Sequence, residues 1–127
     1  MHKSRLAGFI IDCQTDDLDG AAKFWTEALG YRVTPPASPE DATLYRNLDT
    51  TSLGLHVELQ KVSHPSRVHL DIESDDIEAE AARLEKLGAK RIQKVRTWWV
   101  MEAPTGQRFC IVRPQTADFA TTANKWP

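Results

Sequence analysis

Three short strings hold most of the side chains able to do chemistry. HVELQ sets His56, Glu58 and Gln60 at alternate positions, RVHLDIE does the same for Arg67, His69, Asp71 and Glu73, and RFC supplies Arg108 and Cys110. Alternate residues of a strand share one face. The intervening residues Val57, Leu59, Val68, Leu70, Ile72, Phe109 and Ile111 are apolar and belong to the opposite face. Imidazole beside carboxylate is the pairing used for general acid–base work and for holding divalent ions, and a thiol adds a nucleophile or a soft ligand. Asp12, on the strand LAGFIIDC, joins the same polar set. A buried polar group without a partner costs about 1–3 kcal/mol, so a sheet face collecting this many predicts a wet cleft or a binding pocket.

The elements that must position these residues come in two copies. Sliding the C-terminal half back until His69 falls on Ile10 lays HLDIESDDIEAEAARLEKL over IIDCQTDDLDGAAKFWTEA. Asp71 then meets Asp12, and Asp75 and Asp76 meet Asp16 and Asp17. Each copy reads as a strand followed by a helix and three more strands. In the first, Asp16 or Asp17 caps a helix that runs to about Leu29 and stops at Gly30; the acidic pairs serve as helix N-terminal charges. A second strand starts at YRV, TPPASPED is a loop or lid, and ATLYRNL and GLHVELQKV form a strand pair around the turn DTTS. SHPS links the halves. The second copy has a helix from about Asp76 to Leu87, then strands KRIQKV, WWVME and RFCIV. QTADFATTANKWP is a loose tail or an arm laid against the body. The expected fold class is α+β: two βαβββ modules forming a curved mixed sheet around a concave cleft. The whole chain, 1–127, is one domain, with modules at about 6–62 and 67–113 and a tail over 114–127.

With 41% apolar and 27% charged residues, the composition is that of a soluble globular domain. Net charge is −2 and no stretch concentrates Lys or Arg, so nucleic-acid binding lacks its electrostatic footprint. No apolar run reaches the ~20 residues of a membrane span, and MHKSRLAGFIID lacks the apolar core of a signal peptide. A cytoplasmic address is the expectation, and with it two reduced thiols, Cys13 and Cys110, on opposite sheet faces.

The doubled βαβββ pattern, FWTEALGY, VHLDIESDDIEAEAARLEKLGA and APTGQRFCIV resemble the glyoxalase/bleomycin-resistance/dioxygenase group, the vicinal-oxygen-chelate superfamily, and within it the small glyoxalase-like domain proteins. The likeness runs from about Leu6 to Arg113. It implies a fold that hosts isomerases, lyases, dioxygenases, epimerases and drug-binding proteins alike. Metal-dependent members hold one divalent ion through the first and last strand of each module. Those positions here are Ile10, Glu58, His69 and Cys110. Glu58 and His69 suit a Zn, Ni, Fe or Mn ion; Ile10 offers no ligand atom, and Cys110 replaces a carboxylate. The resemblance therefore implies a small-molecule binder of the bleomycin-resistance type without a complete metal site. Its alternative is a metal-dependent lyase or isomerase in which Glu58 and His69 serve as ligands and catalytic groups.

Individual residues keep two readings. His69 with Asp71 is an acid–base pair or a histidine hydrogen-bonded in a polar cleft. Glu58 is a ligand or base, or a carboxylate paired with Arg108 or Arg67. Trp98 and Trp99 are adjacent in a strand, so one faces inward and one outward; the inward one is a flat wall for a planar ligand or ordinary core filling. Cys110 is a nucleophile activated by His69 or His56, or a small buried filler. His56, Gln60, Asp12, Arg67, Asp71, Trp98, Trp99, Arg108 and Cys110 are the candidate ligand contacts. A homodimer is expected from the resemblance, with Phe119 and Trp126 within reach of a partner.

Overall fold

In each copy an aspartate at the same place in the repeat starts the helix. Asp17 Oδ1 accepts from Gly20 N at 2.9 Å and opens α1 (Leu18–Leu29); Asp76 Oδ1 accepts from Ala79 N at 3.0 Å and opens α3 (Ile77–Lys86). Each carboxylate satisfies an amide that the first turn leaves without an intrahelical partner. Gly30 closes α1 at φ 81°, a conformation that a side chain would strain. The alanines that fall on each other in the repeat, Ala22 and Ala81, are both buried, so each helix brings its backbone close to a sheet.

The computed structural model describes Met1–Pro127. The class is mixed α+β, with eight strands in parallel and antiparallel pairs and four helices. The chain forms two compact units: Phe9–Val68, and Met1–Gly8 together with His69–Pro127. Strand β1 (His2–Gln14) gives its beginning to the second and its end to the first.

In the α1 unit the strand order is β2 (Tyr45–Leu48), β3 (His56–Val62), β1, with β2 and β3 antiparallel. Cys13, Leu18, Ala22, Leu48 and Leu59 form its core, with Ile11, Trp25, Tyr31 and Val57 packed around them. In the α3 unit the order is β4 (Arg67–Ser74), β7 (Arg108–Val112), β6 (Trp98–Glu102), β5 (Lys90–Val95); β4 and β7 run parallel and the others antiparallel. Ala81, Met101 and Ile111 are its core, flanked by Ile77, Leu84, Trp99 and Phe109.

Two expectations from the sequence need correcting, over ATLYRNL and YRV. The strand expected over ATLYRNL is only Tyr45–Leu48, because Pro39–Leu44 form a short helix, α2. Ser38 accepts from Asp41 N at 3.1 Å, Pro39 starts the helix, and Glu40 and Asp41 fill its first turn; these N-terminal signals outweigh the strand preference of Thr43 and Leu44. YRV is no strand, making one isolated bridge, Val33 to Leu48. DTTS is built around a 3-10 turn, Thr51–Leu53.

The segment after Pro114 is an arm laid on its own unit. It forms α4 (Phe119–Thr122) and β8 (Asn124–Trp126), which pairs antiparallel with β1, His2 opposite Trp126. Phe119 is buried, and Trp126 lies 3.8 Å under the Arg83 guanidinium while its indole donates to Ser4 Oγ at 2.8 Å. Both aromatics sent toward a partner chain in the sequence reading are thus used intramolecularly.

Candidate functional site

Strand parity sorts the polar residues onto the face away from each helix. In the α1 unit, Leu48, Val57 and Leu59 take the α1 side, leaving Tyr45, Asn47, His56, Glu58 and Gln60 on the other; Asn47 sits opposite Glu58 and Tyr45 opposite Gln60. Glu58 Oε1 lies 3.7 Å from His56 Nε2. Asp12 is 2% exposed, with Arg67 Nε at 3.4 Å and His64 Nε2 at 4.0 Å from its Oδ2. Ile10, two residues before Asp12, is equally buried at 2%. Asn47 Oδ1 is buried without a hydrogen-bond donor. The sequence reading missed Asn47, because only the observed β2–β3 register puts it beside Glu58.

In the α3 unit, Met101, Trp99, Phe109 and Ile111 take the α3 side with Leu70 and Ile72 in register beside the last two. His69, Asp71, Trp98, Val100, Arg108 and Cys110 are left on the other face. His69 Nε2 is 3.4 Å from Asp71 Oδ1, with the two side chains 10% and 7% exposed. Asp71 stands directly beside Cys110 in the parallel β4–β7 register. One ligand atom from each of His69, Asp71 and Cys110 lies within 4.8 Å of the other two. Arg108 turns to Glu102, Nε to Oε1 3.4 Å, as Arg67 turns to Asp12, so each arginine offered above to Glu58 has another carboxylate.

Electrostatics separates candidate from structural groups. Trp99 is a peg on the helix side: its indole donates to Glu78 Oε1 at 2.8 Å, and Arg91 and Lys94 hold the same carboxylate. Those three donors, Trp99 foremost, bring the Glu78 pKa down to about 2. Of the two adjacent tryptophans, Trp98 is the one on the polar face. Glu73, on the inward parity in the sequence reading, is fully buried and accepts from Thr116 N at 2.9 Å, with Arg5 Nε 3.4 Å away, which pins the segment after β7. Cys13 packs in the α1 core, where burial first and the Asp12 charge second push its thiol up. Both cysteines are free, and Cys110 is half-buried beside His69 and Asp71. An open cavity of about 640 Å³ at the strand ends of the α1 unit, bordered by Gln14, Thr43, Lys61 and Ser63, includes none of the candidate residues.

The βαβββ copy of the α3 unit and its first-half counterpart, in which an isolated bridge at Val33 stands in place of the second strand, each keep polar residues on the helix-free face, the arrangement of the vicinal-oxygen-chelate class. The family described as Glyoxalase-like domain matches residues 8–112, and the chain belongs to it. Among solved structures it is similar to methylmalonyl-CoA epimerase from Mycobacterium tuberculosis, at 15% identity and a TM-score of 0.65 over 91% of each chain. It is also similar to Streptomyces coelicolor methylmalonyl-CoA epimerase in complex with 2-nitronate-propionyl-CoA, at 17% identity and a TM-score of 0.56 over 88% of this chain and 98% of that one. A third is a glyoxalase/bleomycin resistance protein/dioxygenase superfamily member from Vibrio splendidus 12B01, at 17% identity and a TM-score of 0.55 over 87% and 99%. These likenesses carry the fold. A search of curated proteins finds no match. No helix is long and apolar enough to cross a membrane.

Proposed function

We propose that this glyoxalase-like protein binds a small molecule on its helix-free sheet faces, without the four-ligand ion of metal-dependent members. The observation carrying this reading is Ile10, a buried aliphatic side chain at one of the four ligand positions that the resemblance assigns. It neither donates to a metal nor leaves space for a ligand from the same strand position, so that four-ligand set does not fit these residues. What the faces retain suits recognition: carboxylates at Asp12, Glu58 and Asp71, imidazoles at His56 and His69, and a flat wall at Trp98. A planar or cationic ligand matches that inventory, as in a bleomycin-resistance-like binder. A panel of such compounds titrated into the metal-free chain tests this by intrinsic fluorescence. Quenching that survives Trp99→Phe and is reduced in Trp98→Phe supports it; a panel without response sinks it.

A second reading follows from the proximity of His69 and Asp71, 3.4 Å apart without a hydrogen bond at Oδ1, which puts a carboxylate within reach of a base. On it the chain is a glyoxalase-type lyase or isomerase, with Glu58 and His69 carrying the reaction around a divalent ion that polarises a substrate oxygen. Turnover of an α-oxygenated substrate abolished by both Glu58→Ala and His69→Ala would favour it, and turnover retained by either variant ends it. The reading also carries a homodimer, by resemblance, and a cytoplasmic address; light scattering giving a monomer would remove the homodimer alone.

A further inference from the structure

The α3 unit contains a candidate site that none of the family positions describes as a set. Strand β4 puts His69 and Asp71 on one face, and the parallel register places Cys110 of β7 next to Asp71. The two strands are separated by the usual spacing of about 4.8 Å, and one ligand atom from each of the three residues falls within 4.8 Å of the others. We propose that His69, Asp71 and Cys110 form a three-ligand site for a soft divalent cation of the Zn²⁺ type, built inside this unit and independent of Glu58.

Three observations carry the proposal. The His69 Nε2 to Asp71 Oδ1 distance is 3.4 Å. Two ligands on a tetrahedral zinc, with bonds of about 2.05 Å, stand about 3.3–3.4 Å apart, and a thiolate sulfur stands about 3.6 Å from either. The imidazole–carboxylate separation is therefore that of two donors on one ion, and a ligand atom of Cys110 lies within 4.8 Å of one from each. Second, Asp71 Oδ1 is buried and accepts no hydrogen bond, although a ring nitrogen is 3.4 Å away. The ring N–H is not directed at the oxygen, so the pair is not serving as a hydrogen-bonded dyad, and a buried carboxylate oxygen in that state costs free energy that a cation would recover. Third, the donor set is chemically selective. One thiolate, one imidazole and one carboxylate favour zinc, cobalt or related ions over magnesium or calcium. Cys110 is half-buried whereas Asp71 is buried, which leaves an approach for a fourth ligand, water or a bound molecule, as catalytic zinc sites require. Binding displaces the Cys110 thiol proton to solvent and changes no oxidation state.

His69 and Cys110 also hold two of the four family positions. The difference is the carboxylate, which comes from Asp71, two residues along the same strand, and not from the other module. Titration of Co²⁺ into the reduced, chelator-stripped full-length chain reads this out without any activity assay. The expected result is one equivalent bound, with a thiolate-to-cobalt charge-transfer band in the near ultraviolet and intense visible bands of four-coordinate cobalt. Cys110→Ser removes the charge-transfer band, and His69→Gln and Asp71→Asn each weaken binding by more than about tenfold. Glu58→Gln leaves the affinity within about twofold. Saturation without a charge-transfer band, no uptake at all, or a loss in Glu58→Gln as large as in Asp71→Asn overturns the proposal; circular dichroism of each variant excludes misfolding as the cause. Ligand binding is measured on the metal-free chain, so failure here is separable from failure of the binding reading.

Discussion

Replacing Asp71 by Asn keeps the size and planarity of the side chain and removes its charge. If Asp71 is held in place for a ligand, the metal-free protein bears the cost of a buried carboxylate oxygen with no donor. That cost is about 1–3 kcal/mol, and a neutral amide oxygen incurs less of it. Metal-free Asp71→Asn is therefore expected to equal or exceed the wild type in stability, by up to about 2 kcal/mol. For a chain of this size each kcal/mol moves the midpoint by about 3–5 °C, so the gain is up to about 10 °C. With zinc at about a thousandfold over its dissociation constant, the wild type gains about 4 kcal/mol by mass action, and a variant that binds at least about tenfold more weakly gains at least about 1.4 kcal/mol less. The zinc-induced shift is therefore smaller in the variant, whatever its metal-free stability. Scanning calorimetry at about pH 8, above the ordinary imidazole range, with chelator and then with zinc, reads both. A metal-free variant destabilised by more than about 1 kcal/mol would show that Asp71 is a structural anchor. A zinc-induced shift as large as that of the wild type would show that it is no ligand.

Acid sensitivity has a named source in Glu80. Its side chain is fully buried and accepts from Arg83 at 2.7 and 2.9 Å, Ser4 at 2.6 Å and His2 at 2.8 Å. Burial raises its pKa, but the hydrogen bonds from Arg83, Ser4 and His2 outweigh it and bring the value down to about 2 from 4.5. Because the folded value is depressed, the stabilisation is complete above pH 4.5 and disappears as pH falls toward 2. The shift corresponds to about 3 kcal/mol, so urea midpoints should fall across that window more steeply in the wild type than in Glu80→Gln, where Glu78 still titrates; equal slopes would contradict the assignment. Leu59→Ala removes a fully buried side chain from the α1 core and is expected to cost about 2–5 kcal/mol by denaturant unfolding; a cost under 1 kcal/mol would mean the core is loosely packed.

What the sequence makes legible is what short-range physics fixes. The aspartate caps and the alternation along HVELQ and RFCIV are local and period-bound, and the repeat makes each copy a check on the other. Placing His69, Asp71 and Cys110 on one face required only parity and a strand pairing. Three things needed the tertiary structure. SPEDATL contains both a helix start and strand-forming residues, and nothing local decides where α2 yields to β2. Trp98 and Trp99 have opposite parity, and only the contact of Trp99 with Glu78 on α3 tells which faces the helix. The tail carries two isolated aromatics in a polar run; their anchors, Arg83 and Ser4, are distant in sequence, so the segment reads as loose until β8 is seen on β1. The buried Asp71 oxygen is likewise invisible to sequence, since it depends on the orientation of a neighbouring ring.

The claim that the helix-free faces are binding faces is tested most directly by amide chemical-shift mapping. The isotopically labelled, metal-free chain would be titrated with the compounds that quench its fluorescence. The account predicts shifts along β3, β4 and β7, strongest around Glu58, His69, Asp71 and Cys110, with the exposed surfaces of α1 and α3 silent. Shifts confined to the helices or to the C-terminal arm would contradict it.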